Sequence, residues 1–166
     1  MNIIETTRLN VRQFITTDFE ALCDLFGDIE TMRYIGPRRP MSDSEILEWL
    51  ENQIANQKIG INRYVVSLKE SNELIGVCGL QQLDGIFDFG YYFRRKYWGN
   101  GYAFESCREI IAYIETKLEI MSYQIFVTQS NSASCRLMAK LDFYPETLTE
   151  KNGEIGCYYK PCAAIK

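Results

Sequence analysis

The stretch FRRKYWGNGYAFES, residues 93–106, holds the features that decide the fold. Three cations at 94–96 precede Gly99 and Gly101, and apolar residues then recur every three or four positions to about 117, which predicts a helix beginning near Asn100. The first backbone N–H groups of such a helix lack internal acceptors, and the helix dipole adds partial positive charge there. Glycines let an anion approach these groups without meeting a Cβ. The stretch therefore predicts an anion site, with pyrophosphate as the simplest ligand.

The same stretch also has a purely structural interpretation, and the residues alone leave both open. Glycines at a strand-to-helix turn can serve only to adopt positive φ, and cations at a strand end can form a solvated edge. The common nucleotide motifs are not met, because GNGYAF lacks the last glycine of GxGxxG and the sequence has no GxxxxGK(S/T). Neither NAD nor ATP is therefore the expected ligand.

Length and composition predict one soluble globular domain over residues 1–166. The 166-residue chain is 46% hydrophobic and 24% charged, which suits a single core. It has no apolar run of the length of a membrane span, and Glu5, Arg8 and Arg12 interrupt the N-terminal apolar residues, unlike a signal peptide. We therefore expect a cytoplasmic protein with no membrane partner. The net charge of −4 also argues against nucleic acid as a partner.

The sequence contains no histidine, which restricts its chemistry. Ser-His-Asp and Cys-His nucleophiles, HExxH metal sites and imidazole bases are all excluded. Any catalysis must use carboxylates, hydroxyls, backbone groups or a cofactor. Because no CxxC pair completes a ligand set, we expect no metal and predict that the cysteines are buried, reduced thiols. The six cysteines are Cys23, Cys78, Cys107, Cys135, Cys157 and Cys162.

Hydrophobic periodicity predicts an α+β fold, in which one strand and two or three helices come before three strands, a helix, a strand, a helix and two strands. Turns at 71–72 and 84–85 predict that the three central strands form an antiparallel meander. Ser42 and Glu45 have the spacing of a capping box, and Asn131 is a predicted N-cap. Helices are predicted at 17–27, 42–54, 100–117 and 132–141, with a helical turn at 28–35. Strands are predicted at 6–14, 62–69, 73–82, 86–93, 122–128, 143–149 and 154–160.

Three stretches in order along the chain, 5–14, 87–106 and 131–144, carry a resemblance to a known family. FDFGYYFRRKYWGNGYAFES (87–106) and NSASCRLMAKLDFY (131–144) resemble the acyl-CoA-binding core of the GNAT superfamily of N-acetyltransferases. ETTRLNVRQF (5–14) and YWGNGYA (97–103) are similar to motifs of its ribosomal-protein N-terminal, or RimJ/RimL-like, branch. The resemblance implies a GNAT-like acyl-CoA N-acyltransferase fold. Its mixed, mostly antiparallel central sheet of about seven strands would be flanked by about four helices and splayed at the acyl-CoA site.

The resemblance implies transfer of an acetyl group from acetyl-CoA, the co-substrate, to a primary amine by direct attack. Our first hypothesis for the acceptor is the N-terminal α-amine of a protein or peptide, since its pKa of about 7.7–8.0 leaves it partly neutral, whereas a lysine at about 10.4 is almost wholly protonated. Alternative acceptors are small amines such as an antibiotic, a polyamine or an amino acid. A non-catalytic CoA-binding protein is a third possibility. The protein would be a monomer or a homodimer.

The resemblance also assigns residues to the binding of acetyl-CoA. Backbone groups of Tyr91, Tyr92 and Phe93 would pair with the pantetheine amides like a short added strand. Asn131 would hold the pantetheine or serve only as a helix cap, and Lys96 replaces the Gln or Arg usual at the start of the pyrophosphate loop. The residues expected around the pyrophosphate are Arg94, Arg95, Lys96, Trp98, Gly99, Asn100, Gly101, Tyr102 and Ala103.

The remaining implied residues concern the chemistry and the acceptor. Asp88 would act as the base through a water or anchor the ammonium group, although a polar residue on an alternating strand explains it equally well. Ser134 would donate a hydrogen bond to the thiolate, and Asn131 stands in the same motif. Met138 occupies the position at which many relatives carry a tyrosine acid, so that mechanism is not implied here. Tyr34, Arg38 and Trp49 would contribute to the acceptor wall.

Overall fold

The computed structural model describes residues 2–162, which contain two antiparallel sheets and five α-helices. The strands are β1 (Asn2–Glu5), β2 (Leu9–Arg12), β3 (Arg63–Leu68), β4 (Leu74–Leu83), β5 (Ile86–Phe93), β6 (Ile125–Thr128), β7 (Phe143–Lys151) and β8 (Glu154–Pro161). The helices are α1 (Phe19–Phe26), α2 (Ile29–Met32), α3 (Asp43–Asn56), α4 (Tyr102–Lys117) and α5 (Ser132–Lys140). The predicted α+β class and GNAT-like architecture are confirmed, with one more strand and one more helix in the described residues than expected.

The larger sheet has the strand order β1-β2-β3-β4-β5, and the smaller one has the order β6-β8-β7. The predicted meander is confirmed, since β3 pairs with β4 and β4 with β5 in antiparallel register. The predicted first strand at 6–14 is wrong in its boundaries. Leu9 bonds back to Thr6 through both the side-chain oxygen and the backbone N–H of Thr6, at 2.9 Å each, and this turn divides the segment into β1 and β2.

Within residues 2–162, one backbone bridge joins the two sheets, and it lies between β5 and β6. Asp88 and Gln124 form an isolated parallel bridge, in which Phe89 N–H donates to Gln124 O at 2.7 Å and Gln124 N–H donates to Phe87 O at 3.0 Å. Beyond this bridge β5 and β6 do not pair with each other, and a cleft opens between them. The expected splay of the sheet is therefore confirmed.

Both faces of the larger sheet are buried, which explains the apolar composition of β3 and β4. Side chains such as Tyr64 and Cys78 pack against α4 on one face, whereas Val65 and Val77 pack against α1 and α3 on the other. Side chains alternate between the faces of a strand, so a continuous apolar run fills both cores. The sheet is thereby held between two helical layers.

Local side-chain bonds set the starts of α3 and α5 as the sequence predicts. Ser42 and Glu45 form the expected capping box of α3. Asn131 caps α5 by accepting a hydrogen bond from Ser134 N–H at 3.2 Å. Asp142, after α5, adopts the left-handed region at φ 59°, which aspartate tolerates better than most residues.

All six cysteines are free, but the prediction that they are buried holds only for Cys78 and Cys107. Cys162 is exposed, and the other three are half-buried. Among residues 2–162, every helix is too short or too polar to span a bilayer.

Candidate active site

A cleft of about 930 Å³ lies between β5 and β6 and extends to the start of α4 and α5. The structure brings most of the sequence-predicted site residues together along its walls. These are Tyr34, Arg38, Asp88, Tyr91, Tyr92, Phe93, Trp98, Gly99, Gly101, Tyr102, Ala103, Asn131 and Ser134.

One end of the cleft is formed by the loop before α4. Gly99 and Gly101 have φ of 77° and 79°, and a Cβ built on Gly99 would meet no atom within 4 Å. In the described part of the chain, the backbone N–H groups of residues 99–104 have no hydrogen-bond acceptor. Asn100 does not line the cleft; its side-chain amide donates to the carbonyls of Tyr97 and Trp98 and so holds the loop in place. This end of the cleft therefore offers a row of free donors with the positive pole of a 16-residue helix behind them.

Arg8 is a cation at this end that sequence reasoning did not assign to the site. Its guanidinium donates to Asn100 O at 3.0 Å, pairs with Glu105 at 2.7 Å, and lies 4.5 Å from the centre of the Tyr102 ring. A Cβ on Gly101 would lie 3.6 Å from Arg8 Nη2. The motif ETTRLNVRQF, which contains Arg8 and contributes to the family resemblance, was the sequence signal that could have identified it.

Arg94, one of the cations expected at the pyrophosphate, is not brought into the cleft. Its side chain is only 8% exposed and donates to Leu74 O and to a Glu73 carboxylate oxygen, each at 2.8 Å. It also forms a hydrogen-bonded ion pair with Asp24 of α1. Arg94 therefore joins the end of β5 to the beginning of β4 and to α1.

The other two cations lie on the same outer surface. Lys96 pairs with Glu73 at 2.8 Å, and Arg95 pairs with Asp28 at 3.1 Å. Hydrogen bonds from Lys96 and Tyr97 lower the pKa of Glu73 to about 2. The charge of these cations is thus taken up by carboxylates from distant parts of the chain.

Of the three residues expected on the acceptor wall, Tyr34 and Arg38 line the cleft and Trp49 does not. Trp49 packs edge-on against Phe14 and Phe26, at 5.4 and 4.9 Å between ring centres, and does not reach the cleft. Tyr34 donates to Ser130 O at 3.3 Å, and Arg38 forms an ion pair with Glu154 of β8. The segment 33–38 therefore crosses the mouth of the cleft and is fastened on two sides.

Asp88 lies where β5 and β6 begin to separate, with 21% of its side chain exposed. Burial raises its pKa above the usual value for aspartate, while the charges of Arg63 and Lys151 and a hydrogen bond from Gln81 act in the opposite direction. A carboxylate in this environment is a stronger proton acceptor than one in water.

Ser134 lies at the start of α5 and faces β5 across the cleft. The Tyr91 hydroxyl donates to Ser134 Oγ at 2.7 Å, and burial raises the pKa of Tyr91. Sequence reasoning assigned Tyr91 a backbone role and missed this side-chain contact, which depends on the approach of two elements distant in sequence. Met138 is fully buried in the core, so the position at which the resemblance would place a tyrosine supplies no hydroxyl here.

A sequence model of the acetyltransferase (GNAT) domain matches residues 8–144. The chain belongs to the GNAT acetyltransferase family. It is accordingly an acetyl-CoA-dependent acetyltransferase, and the cleft described above is its candidate active site. The uncharacterized N-acetyltransferase p20 of Bacillus licheniformis is 30% identical over 153 residues, which cover 89% of this chain and 85% of that relative.

Solved structures share the fold of this GNAT protein at lower identity. A GNAT-family acetyltransferase from Bacillus anthracis has a TM-score of 0.79 at 24% identity and covers 94% of each chain. RimL, a ribosomal L7/L12 α-N-protein acetyltransferase in complex with coenzyme A, has a TM-score of 0.77 at 18% identity, covering 96% of this chain and 95% of RimL. A chimera of the spermidine N-acetyltransferase SpeG from Vibrio cholerae and hSSAT has a TM-score of 0.76 at 19% identity, covering 93% and 96%.

Proposed function

We propose that this acetyltransferase acts on the N-terminal α-amine of a protein or peptide, as part of the RimJ/RimL-like branch. The observation that carries the proposal is the half-buried Asp88 at the narrow end of a cleft without histidine. At pH 7 roughly one tenth of α-amines with a pKa near 7.7–8.0 are neutral, against fewer than about one in two thousand lysine side chains. A carboxylate is a weak base, so it suits an α-amine, which needs less assistance with deprotonation than a lysine side chain does.

The anion end of the cleft fits the pyrophosphate of acetyl-CoA. The free N–H groups of residues 99–104 and the start of α4 supply donors and positive potential. The main chain of β5 fits the pantetheine arm. Because Phe89 N–H and Phe87 O face β6, the alternation along the strand directs the N–H and C=O of Tyr91 to the same side, where pantetheine amides can pair with them.

The proposed reaction uses Asp88 and Ser134. Asp88, through a water, accepts the proton that the acceptor loses as its nitrogen forms a bond to the acetyl carbonyl carbon. The C–S bond then breaks, and its electron pair remains on sulfur as a thiolate. Ser134 donates a hydrogen bond to that sulfur, with Asn131 fixing the turn that carries it. A thiol pKa near 8.5 makes the thiolate a good leaving group that needs little protonation.

A small-molecule amine is a second candidate because of the segment 33–38 at the cleft mouth. Its contacts from Tyr34 to Ser130 and from Arg38 to Glu154 narrow the entrance, which favours a slender acceptor. The structural likeness to a spermidine N-acetyltransferase is consistent with this candidate. An extended peptide N-terminus is also slender, so both candidates fit beneath the segment.

Initial rates of thiol release from acetyl-CoA would separate these candidates. The panel contains peptides with a free N-terminus and no lysine, matched peptides with a blocked N-terminus and one lysine, and spermidine. We expect kcat/KM at least about tenfold higher for the free N-terminus than for the other two, and loss of turnover in Asp88→Asn. A reversed order, with spermidine preferred, would reject the peptide acceptor in favour of the second candidate.

A further inference from the structure

Arg63, the first residue of β3, is a buried arginine beneath the floor of the cleft. It is only 2% exposed, and its guanidinium carbon lies 4.8 Å from the centre of the Tyr92 ring. A Cβ on Gly90 would lie 2.0 Å from Arg63 Nη1, so the guanidinium occupies the space that a side chain at this position of β5 would need. Gly90 itself lines the cleft, so the cation lies against the stretch of β5 that also carries Asp88.

The contacts of Arg63 are loose for a buried cation. Its Nε donates to Gln81 Oε1 at 3.3 Å, and its Nη2 lies 3.5 Å from Asp88 Oδ2. Gln81 Nε2 also donates to Asp88 Oδ2 at 3.5 Å. Arg63 Nη1 is buried and has no hydrogen-bond partner within residues 2–162. A buried guanidinium is costly to leave incompletely paired, so this arrangement calls for a physical reason.

Arg12, a second buried arginine of the same sheet, shows how such a cation can be closely paired with a carboxylate. It holds both oxygens of Asp18 in a bidentate pair at 2.9 and 2.7 Å. Both oxygens of Asp18 are thereby engaged, and its Oδ2 also accepts a hydrogen bond from Ile15 N–H at 2.9 Å. Asp88 instead shares one oxygen with Arg63 and Gln81, while no hydrogen bond reaches its Oδ1 from the described residues.

We propose that Arg63 is a positioning residue that keeps Asp88 ionised and oriented for the reacting amine. The inference rests on the proposed role of Asp88. Burial alone favours the neutral carboxylic acid, which could neither accept a proton nor hold an ammonium group, and a nearby cation opposes this. A bidentate pair would occupy both oxygens, whereas the looser contact leaves Oδ1 for the amine or its water.

Other groups that face Asp88 must be separated from the effect of Arg63. Lys151 of β7 adds a second positive charge, and the Tyr92 hydroxyl lies near from the same strand. Gln81 of β4 carries no charge. Gln124 meets Asp88 through the backbone bridge between the two strands. Lys151 lies on the cleft wall, so the buried charge of Arg63 is the one that solvent and salt screen least.

The test is a carbon-13 NMR titration of aspartate carboxyl groups in the protein without acetyl-CoA. The Asp88 signal is assigned by its absence in Asp88→Asn. We expect Arg63→Met to raise the pKa of Asp88 by about one unit or more, and Arg63→Lys to keep it nearer the wild-type value. Arg12→Met, which removes a buried arginine that pairs with Asp18 instead, should leave the Asp88 titration unchanged. If Arg63→Met does not fold, Arg63→Gln gives the same readout.

The pH profile of kcat/KM then distinguishes the two proposals. The acidic limb should move to higher pH in Arg63→Met together with the Asp88 titration. An unchanged Asp88 titration in the folded variant would overturn the inference about Arg63. A shifted titration with an unshifted acidic limb would support the electrostatic action of Arg63 on Asp88 but refute Asp88 as the base.

Discussion

The Tyr91 hydroxyl donates to Ser134 Oγ across 2.7 Å and so connects β5 to the start of α5. With its oxygen already accepting this bond, the Ser134 hydroxyl has its own proton free to donate to another acceptor. The tyrosine thus reaches the proposed leaving-group side of the cleft from β5, whereas Met138 lies on α5. Its raised pKa makes it a hydrogen-bond donor rather than an acid.

This contact predicts the kinetic effect of removing either hydroxyl. We expect Tyr91→Phe and Ser134→Ala each to lower kcat about tenfold, with the KM for acetyl-CoA changed less than about twofold. Since Tyr91 acts through Ser134, the double variant should lose no more than Ser134→Ala alone. Steady-state rates with a fixed amine measure this. Independent, multiplicative losses would show that Tyr91 does not act through the serine.

The anion end of the cleft predicts the effect of a negative charge at Gly101. Gly101→Glu should weaken acetyl-CoA binding more than about tenfold, because the carboxylate repels the pyrophosphate and fills the approach to the N–H groups. Gly85→Glu is the matched control, since Gly85 has φ 80° against 79° for Gly101 and equally lies in an exposed turn. Isothermal titration with acetyl-CoA compares the two. Equal affinities would place the pyrophosphate elsewhere.

The ion pairs of Arg94 predict a stability effect rather than a binding effect. Arg94→Met should lower the free energy of unfolding by about 2 kcal/mol, because the variant loses a largely buried cation and its hydrogen bonds to Glu73 and Leu74. Lys96→Ala, at an exposed pair, should cost less than about 1 kcal/mol. Urea unfolding measures both. We also expect Lys96→Ala to bind acetyl-CoA as tightly as wild type; a marked loss would return Lys96 to the pyrophosphate site.

The lowered pKa of Glu73 predicts that the stability of the fold depends on pH. Its pKa is lowered from 4.5 to about 2 in the folded protein, so its stabilising effect is present above about pH 4.5 and is lost as the pH falls towards 2. The side chain is 38% exposed, so the effect is small. The difference in unfolding free energy between wild type and Glu73→Gln should shrink over this range. A difference independent of pH would mean that the carboxylate charge does not stabilise the fold.

The fold and the floor of the cleft could be predicted from sequence because their signals are local. The glycines of the α4 loop, the Asn131 cap and the period of the strands all act within a few residues. The partners of Arg94 could not be predicted, since Asp24 is 70 positions away and only the folded chain brings it near. The same holds for the hydroxyl contact of Tyr91 and for the cation beneath Gly90.

The single bridge at Asp88 and Gln124 gives the larger sheet an interior edge with unpaired main-chain groups. Open edges usually invite another chain to add as a strand and so promote aggregation. Here helical layers cover both faces of the larger sheet, and the segment 33–38 is held at the mouth of the cleft by contacts to Ser130 and to Glu154 of β8. The unpaired main-chain groups of β5 therefore face a cleft rather than open solvent, and the walls of that cleft limit what can pair with them.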